Sequence, residues 1–146
     1  MSGRKVTPVE VGLRYLSLGY DLRRVVDDGM KAGGLSLART KVLQVLDRRG
    51  TVRQSVLAQE LGQAPRSVTQ SVEALEREGL VERTVDPHDG RSKLVRLTPE
   101  GTRALAAGTA AGEQVLREAF GAMGAERLGN LDQLLDALRA GLSGAA

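Results

Sequence analysis

The chain has 146 residues, with 21 Lys and Arg against 18 Asp and Glu, one His and no Cys or Trp. That length suits one domain, or one domain with dimerisation arms. Without Cys there is no disulfide, thiol switch or Cys-based zinc site, and the single His88 cannot build a His cluster, so no metal or cofactor is expected. No apolar run approaches the roughly 20 residues that span a bilayer, so no membrane partner is expected. Arg4 and Lys5 have no apolar stretch behind them; no signal peptide is expected, and the expected location is cytoplasmic. The charge is unevenly shared: +2 over residues 1–34, +3 over 35–98 and −2 over 99–146. A basic middle facing a polyanion fits that distribution.

Thr7-Pro8 opens the first predicted helix, about 9–31. Val9, Leu13, Leu16 and Tyr20 recur at spacings of four, three and four on one stripe. Such a helix would run roughly 34 Å at ~1.5 Å per residue, long for a small domain and suited to dimer formation. Gly33-Gly34 stops it. Ser36 is the expected N-cap of a second helix, about 37–49, with Val42, Val45 and Leu46 inward and Gly50 as its stop. Thr51-Val52-Arg53 is a short strand. A third helix, about 54–61, buries Leu57, Ala58 and Leu61 and ends at Gly62.

Pro65 suits the first position of a fourth helix, where its missing N–H costs nothing. Val68, Val72 and Leu75 form its buried face, leaving Arg66, Ser67, Thr69, Gln70 and Glu73 on the others. Residues 80–85 alternate as a strand, Asp86-Pro-His-Asp-Gly90 is rich in turn formers, and Leu94–Leu97 is the return strand. Thr98-Pro99-Glu100 starts a helix over about 99–120, locally weakened by Gly101, Gly108, Gly112 and Gly121. Beyond Gly124, Leu128, Leu131, Leu135, Leu138 and Leu142 alternate spacings of three and four, a seam like a short coiled coil.

The order helix, strand, helix, turn, helix, hairpin is that of a winged helix-turn-helix. The expected fold is mainly α with a small β-hairpin wing. A DNA-binding domain spans 35–98, and the N- and C-terminal helices, 1–34 and 99–146, form a dimerisation region. The N-terminal half of the fourth helix offers Arg66, Ser67, Thr69 and Gln70 to a major groove. Arg pairs with guanine and Gln with adenine, at about 1–3 kcal/mol of discrimination per good pair. Lys93, Arg83, Arg53 and Ser55 are candidates for phosphate contacts, which confer salt-dependent affinity without base specificity. Val9, Leu13 and Leu16, with the Leu128–Leu142 seam, are the candidate dimerisation residues.

Several runs carry a family likeness. They are Leu57-Ala-Gln-Glu-Leu-Gly62, Pro65-Arg-Ser-Val-Thr69, Val72-Glu-Ala-Leu-Glu-Arg-Glu-Gly-Leu-Val81, Asp86-Pro87, Asp89-x-Arg91 and Leu97-Thr-Pro-Glu-Gly101. Over roughly 36–101 the chain resembles the MarR family of transcriptional regulators. The resemblance implies that Arg91 reaches a minor groove and that an ion pair from Asp89 fixes its side chain. It also implies a pocket between the dimer helices and the DNA module for a small aromatic or anionic effector, with Tyr15, Tyr20, Arg14 and Phe120 as candidate lining. Two positions depart from the pattern. Ala64 stands where a Ser or Thr commonly caps the recognition helix, a loss of ~1 kcal/mol unless Ser67 or a phosphate compensates. Gln70 stands where many relatives carry a basic residue.

The expected function is a homodimeric, sequence-specific regulator of transcription on a palindromic operator in double-stranded DNA, acting as a repressor that an effector releases. A winged-helix protein–protein interaction module without sequence-specific DNA binding is the second reading, and a flat salt response would mark it. No enzyme is expected: the chain has no nucleophile–His pair and no phosphate-binding glycine loop. Asp27 and Asp28 are adjacent on a helix and point apart.

Overall fold

The structure, a computed structural model, describes residues 3–145; the outermost residues of the expected arms, 1, 2 and 146, lie outside the described residues. Its elements are α1 (Pro8–Ala32), α2 (Leu37–Arg49), β1 (Val52–Arg53), α3 (Gln54–Leu61), α4 (Pro65–Arg77), β2 (Val81–Asp86), β3 (Asp89–Leu97), α5 (Pro99–Gly121) and α6 (Ala125–Ser143). Contacts divide the chain into Met1–Gly112 and Glu113–Ala146, a boundary inside α5.

Local chemistry sets most of these limits. At the start of α1, Thr7 Oγ1 accepts from the Glu10 N–H at 3.2 Å, and the Thr7 N–H donates to Glu10 Oε2 at 2.9 Å. This reciprocal pair satisfies donors that the first turn leaves free. Ser36 caps α2 through the Arg39 N–H at 3.2 Å. Gly62, at φ +61°, takes the left-handed conformation that ends α3 and lets the chain turn at once into α4. Thr98 Oγ1 accepts from the Gly101 N–H at 3.0 Å and donates to the Gly79 carbonyl at 2.6 Å, so one hydroxyl caps α5 and ties it to the end of α4.

The core of the first unit joins Leu43 and Leu46 of α2, Leu57 of α3, Val68, Val72 and Leu75 of α4, Val81 and Val95 of the sheet, and Leu105 of α5. The apolar faces read from helical spacing are the faces that meet here. Three of the glycines that weaken α5 as an isolated helix, Gly101, Gly108 and Gly112, allow it to approach its neighbours closely. A Cβ on Gly101 would overlap the Leu80 carbonyl oxygen, and one on Gly112 would lie 3.2 Å from Met30 Sδ.

The three-stranded antiparallel sheet has the order β1-β3-β2. Val52 faces Val95, Val81 faces Leu97 and Arg83 faces Val95. The return strand starts at Asp89, five residues earlier than the 94–97 run suggested, because the hairpin pairs up to its turn. The register shifts between Val85 and Asp86, which leaves Val85 exposed and Asp86 buried. This bulge breaks the simple alternation read over 80–85 and turns an acid inward. In the second unit, Gly124 at φ +82° begins α6, whose leucines 128, 135, 138 and 142 are exposed.

Candidate nucleic-acid interface

Helix α4 has two opposed faces. Val68, Val72 and Leu75 are fully buried. Arg66, Ser67 and Gln70 are exposed, and Arg66 has no ion-pair partner among the described residues. No side chain caps Ala64, and Ser67 does not take over that role, so early N–H groups of α4 remain open to an anion.

Thr69 stands differently from the expectation. Its hydroxyl donates to the Pro65 carbonyl at 2.9 Å and accepts from Gln54 Nε2 at 2.7 Å. It is partly exposed and engaged inside the helix-turn-helix. Gln54, the first residue of α3, was not among the sequence candidates. A polar residue opening a helix carries no local signal that it will cross to the next helix.

The wing also corrects an expectation. Asp89 makes no ion pair with Arg91. Its Oδ1 accepts the Arg91 backbone N–H at 3.1 Å and its Oδ2 accepts the Ser92 hydroxyl at 2.9 Å. A short carboxylate reaches the N–H two residues on more readily than a long guanidinium, so the acid shapes the turn. Arg91 and Lys93 remain exposed with no partner among the described ion pairs.

Behind the turn, buried Asp86 accepts the His88 N–H at 2.9 Å and Arg53 Nε at 2.7 Å. The His88 N–H, and then Arg53, hold its carboxyl below the ordinary carboxylate range despite the burial that opposes them. Arg53 is thereby fixed at one edge while about half its side chain stays exposed.

Arg83, a candidate phosphate contact, is turned back into the fold. It donates to Glu76 Oε1 from Nε at 3.3 Å and from Nη2 at 3.0 Å, tying β2 to α4. Glu76 is lowered by that contact and Arg83 is raised by it. Arg39, Arg48, Arg49 and Arg96 are likewise matched, to Glu78, Glu60, Glu60 and Glu82.

Residues far apart in sequence meet at one cleft of about 250 Å³ between the starts of α3 and α4 and the wing. Arg53, Ser55, Arg91 and Lys93 line it beside Pro65. It has three cations and no carboxylate, which suits an anion such as a phosphate.

The other candidates are distributed. Val9, Leu13 and Leu16 are 63–70% exposed along α1, an unusual density of apolar surface for a helix in water. Leu131 is half-buried in α6. Arg14 and Tyr15 share a shallow groove on α1, while Tyr20 lines a separate groove with Arg23 and Lys41. Phe120 sits beside Leu116 and Arg117 in the second unit. Among the described residues no helix is long and apolar enough to cross a membrane, and no group of three His, Asp or Glu could hold a metal.

The MarR family model matches residues 33–92. The chain is 29% identical over 106 residues to YdgJ of Bacillus subtilis (strain 168), an uncharacterised HTH-type transcriptional regulator; the match covers 73% of this chain and 65% of that protein. The match thus spans just under two thirds of that relative's length. The fold is similar to wild-type apo MarR of E. coli, at a TM-score of 0.78 and 21% identity over 92% of this chain and 98% of that one. It is also similar to a cysteine-to-serine variant of MarR complexed with operator DNA, at a TM-score of 0.69 and 22% identity over 88% and 92% of the two chains. MarR is the multiple antibiotic resistance repressor.

Proposed function

We propose that this chain, whose residues 33–92 match the MarR family model and which is similar to an HTH-type transcriptional regulator, regulates transcription by binding duplex DNA as a homodimer. Helix α4 enters the major groove of a half-site, where Arg66 and Gln70 read base edges and Ser67 meets the backbone. Arg53, Ser55 and Lys93 hold phosphates, and Arg91 enters the adjacent minor groove on a wing braced by Asp89. The single observation that carries this reading is the partnering of the cations. Arg66, Arg91 and Lys93 are left without carboxylates around the α4 start and the wing, and Arg53, though paired to Asp86, keeps about half its side chain exposed, while Arg39, Arg48, Arg49, Arg83 and Arg96 are matched to carboxylates within the fold.

Two copies, ~34 Å apart, read the two halves of a palindrome. The exposed Val9, Leu13 and Leu16, with the α6 leucines, supply the apolar surface that a second copy covers. The regulator is a repressor, as MarR is, and an aromatic or anionic effector releases it. The effector does so by binding more tightly to a dimer whose recognition helices no longer match the half-site spacing.

Selection from a random duplex library with the purified protein tests this function. A palindrome with half-site centres ~10 bp apart is expected. No enrichment, or affinity that is flat in salt, overturns it. In the enriched duplex Arg91→Ala is expected to weaken binding many-fold while the dimer persists.

A further inference from the structure

A second group of unmatched cations lies outside the helix-turn-helix and the wing. Arg23 and Arg24 of α1 and Lys41 of α2 line one groove of about 600 Å³, and none has an ion-pair partner among the described residues. The groove's one carboxylate, Asp27, is already occupied. Its Oδ1 accepts the Leu37 N–H at 2.9 Å, and its Oδ2 lies 3.1 Å from Lys31 Nζ. Those two contacts hold it below the ordinary carboxylate range, so it stays charged and engaged at neutral pH. The start of α2 is also closed to an anion at two donors: Asp27 takes the Leu37 N–H, and Ser36 takes the Arg39 N–H. The attraction in this groove therefore comes from three side-chain cations.

The groove's place in the fold indicates its partner. Gln63, in the turn between α3 and α4, also lines it. Pro65, two residues on, lines the cleft that holds Arg53, Arg91 and Lys93. The two basic surfaces thus both border the short turn that leads into α4. We infer that the α1–α2 groove is a second phosphate-binding surface, in which Arg23, Arg24 and Lys41 hold the backbone of the same duplex beyond the stretch gripped by α4 and the wing. This inference rests on the DNA-binding reading above. It adds contacts that anchor the module without reading bases, so they raise affinity for every sequence alike.

The test compares three variants on the selected duplex and on a 30-bp duplex of scrambled sequence, by fluorescence anisotropy from 50 to 300 mM NaCl. The first is Arg23→Gln with Arg24→Gln and Lys41→Gln. The second keeps the charge, with Arg23→Lys and Arg24→Lys. The third removes unmatched cations elsewhere, with Lys5→Gln, Arg127→Gln and Arg139→Gln. Each lost phosphate contact reduces the log–log salt slope by ~0.9. The first variant is expected to lose that much per contact on both duplexes, with the ratio of the two affinities unchanged. The second and third are expected to keep the parent slope. An unchanged slope in the first variant, or an equal drop in the third, overturns the inference. A parent protein that binds neither duplex instead defeats the DNA-binding reading itself. Thermal unfolding of each variant separates loss of contacts from loss of fold.

Discussion

Gln54 Nε2 lies 2.7 Å from Thr69 Oγ1 and donates to it, joining the first residue of α3 to the second turn of α4. The Thr69 hydroxyl in turn donates a hydrogen bond to the Pro65 carbonyl. The angle between the two helices of the motif is thus held by a polar contact as well as by Leu57, Val68 and Val72. Gln54 Oε1 is buried with no partner.

That asymmetry predicts unequal substitutions. Thr69→Val keeps the shape but strands the Gln54 amide donor, at about 1–3 kcal/mol. Gln54→Leu removes the unpaired acceptor together with the donor and leaves Thr69 bonded to Pro65, so it is expected to cost less. Urea unfolding of both variants gives the comparison; equal losses would show that the contact does not hold the motif.

Asp86 predicts an acid dependence. Its carboxyl is held below the ordinary Asp value of about 3.9 by the His88 N–H and Arg53, so the folded state binds its proton less readily than the unfolded chain. Its contribution is complete above the unfolded value and fades as pH falls through the lowered folded one. Asp86→Asn should therefore be less stable than the parent at pH 7, with the gap narrowing towards pH 3. A gap that stays constant across that range would show that charge on Asp86 is not what stabilises the base of the wing.

Two glycines should respond in opposite directions to the same methyl group. At Gly101 an added Cβ overlaps the Leu80 carbonyl oxygen and presses on Leu97 Cδ2 at 2.9 Å. Gly101→Ala is expected to destabilise by at least the ~1–3 kcal/mol typical of overpacking. Gly129, in α6, has nothing within 4 Å of that position. Gly129→Ala should stabilise by about 0.5–1 kcal/mol, through helix propensity and the reduced freedom of the unfolded chain. Thermal melts of the two variants should shift to opposite sides of the parent.

The exposed stripe on α1 predicts an assembly phenotype. Leu13→Glu with Leu16→Glu places charge where a second copy is expected to bury apolar surface. Sedimentation velocity should find a monomer, and affinity for the selected duplex should fall by more than tenfold, since one module then binds one half-site. A variant that remains dimeric would move the interface off this stripe.

Most of the fold could be read along the chain. The bounds of α2 and α3, the Pro65 start of α4, the Thr98 cap and the leucine periodicity all follow from residues within a turn or two of one another. Caps, prolines, glycines and helical spacing act at that range, so they hold whatever the rest of the chain does. The exposed face of α4 and the basic wing were visible for the same reason. Which cations stay free could not be seen this way. Arg83 is drawn to Glu76, Arg53 to Asp86 and the Thr69 hydroxyl to Gln54, while Asp89 turns to the backbone of its own loop and leaves Arg91 unmatched. Coulomb attraction and hydrogen bonding depend on distance in space. Only the packing of β2 against α4, the bulge at Asp86 and the crossing of α3 with α4 determine which of these groups come within reach of one another.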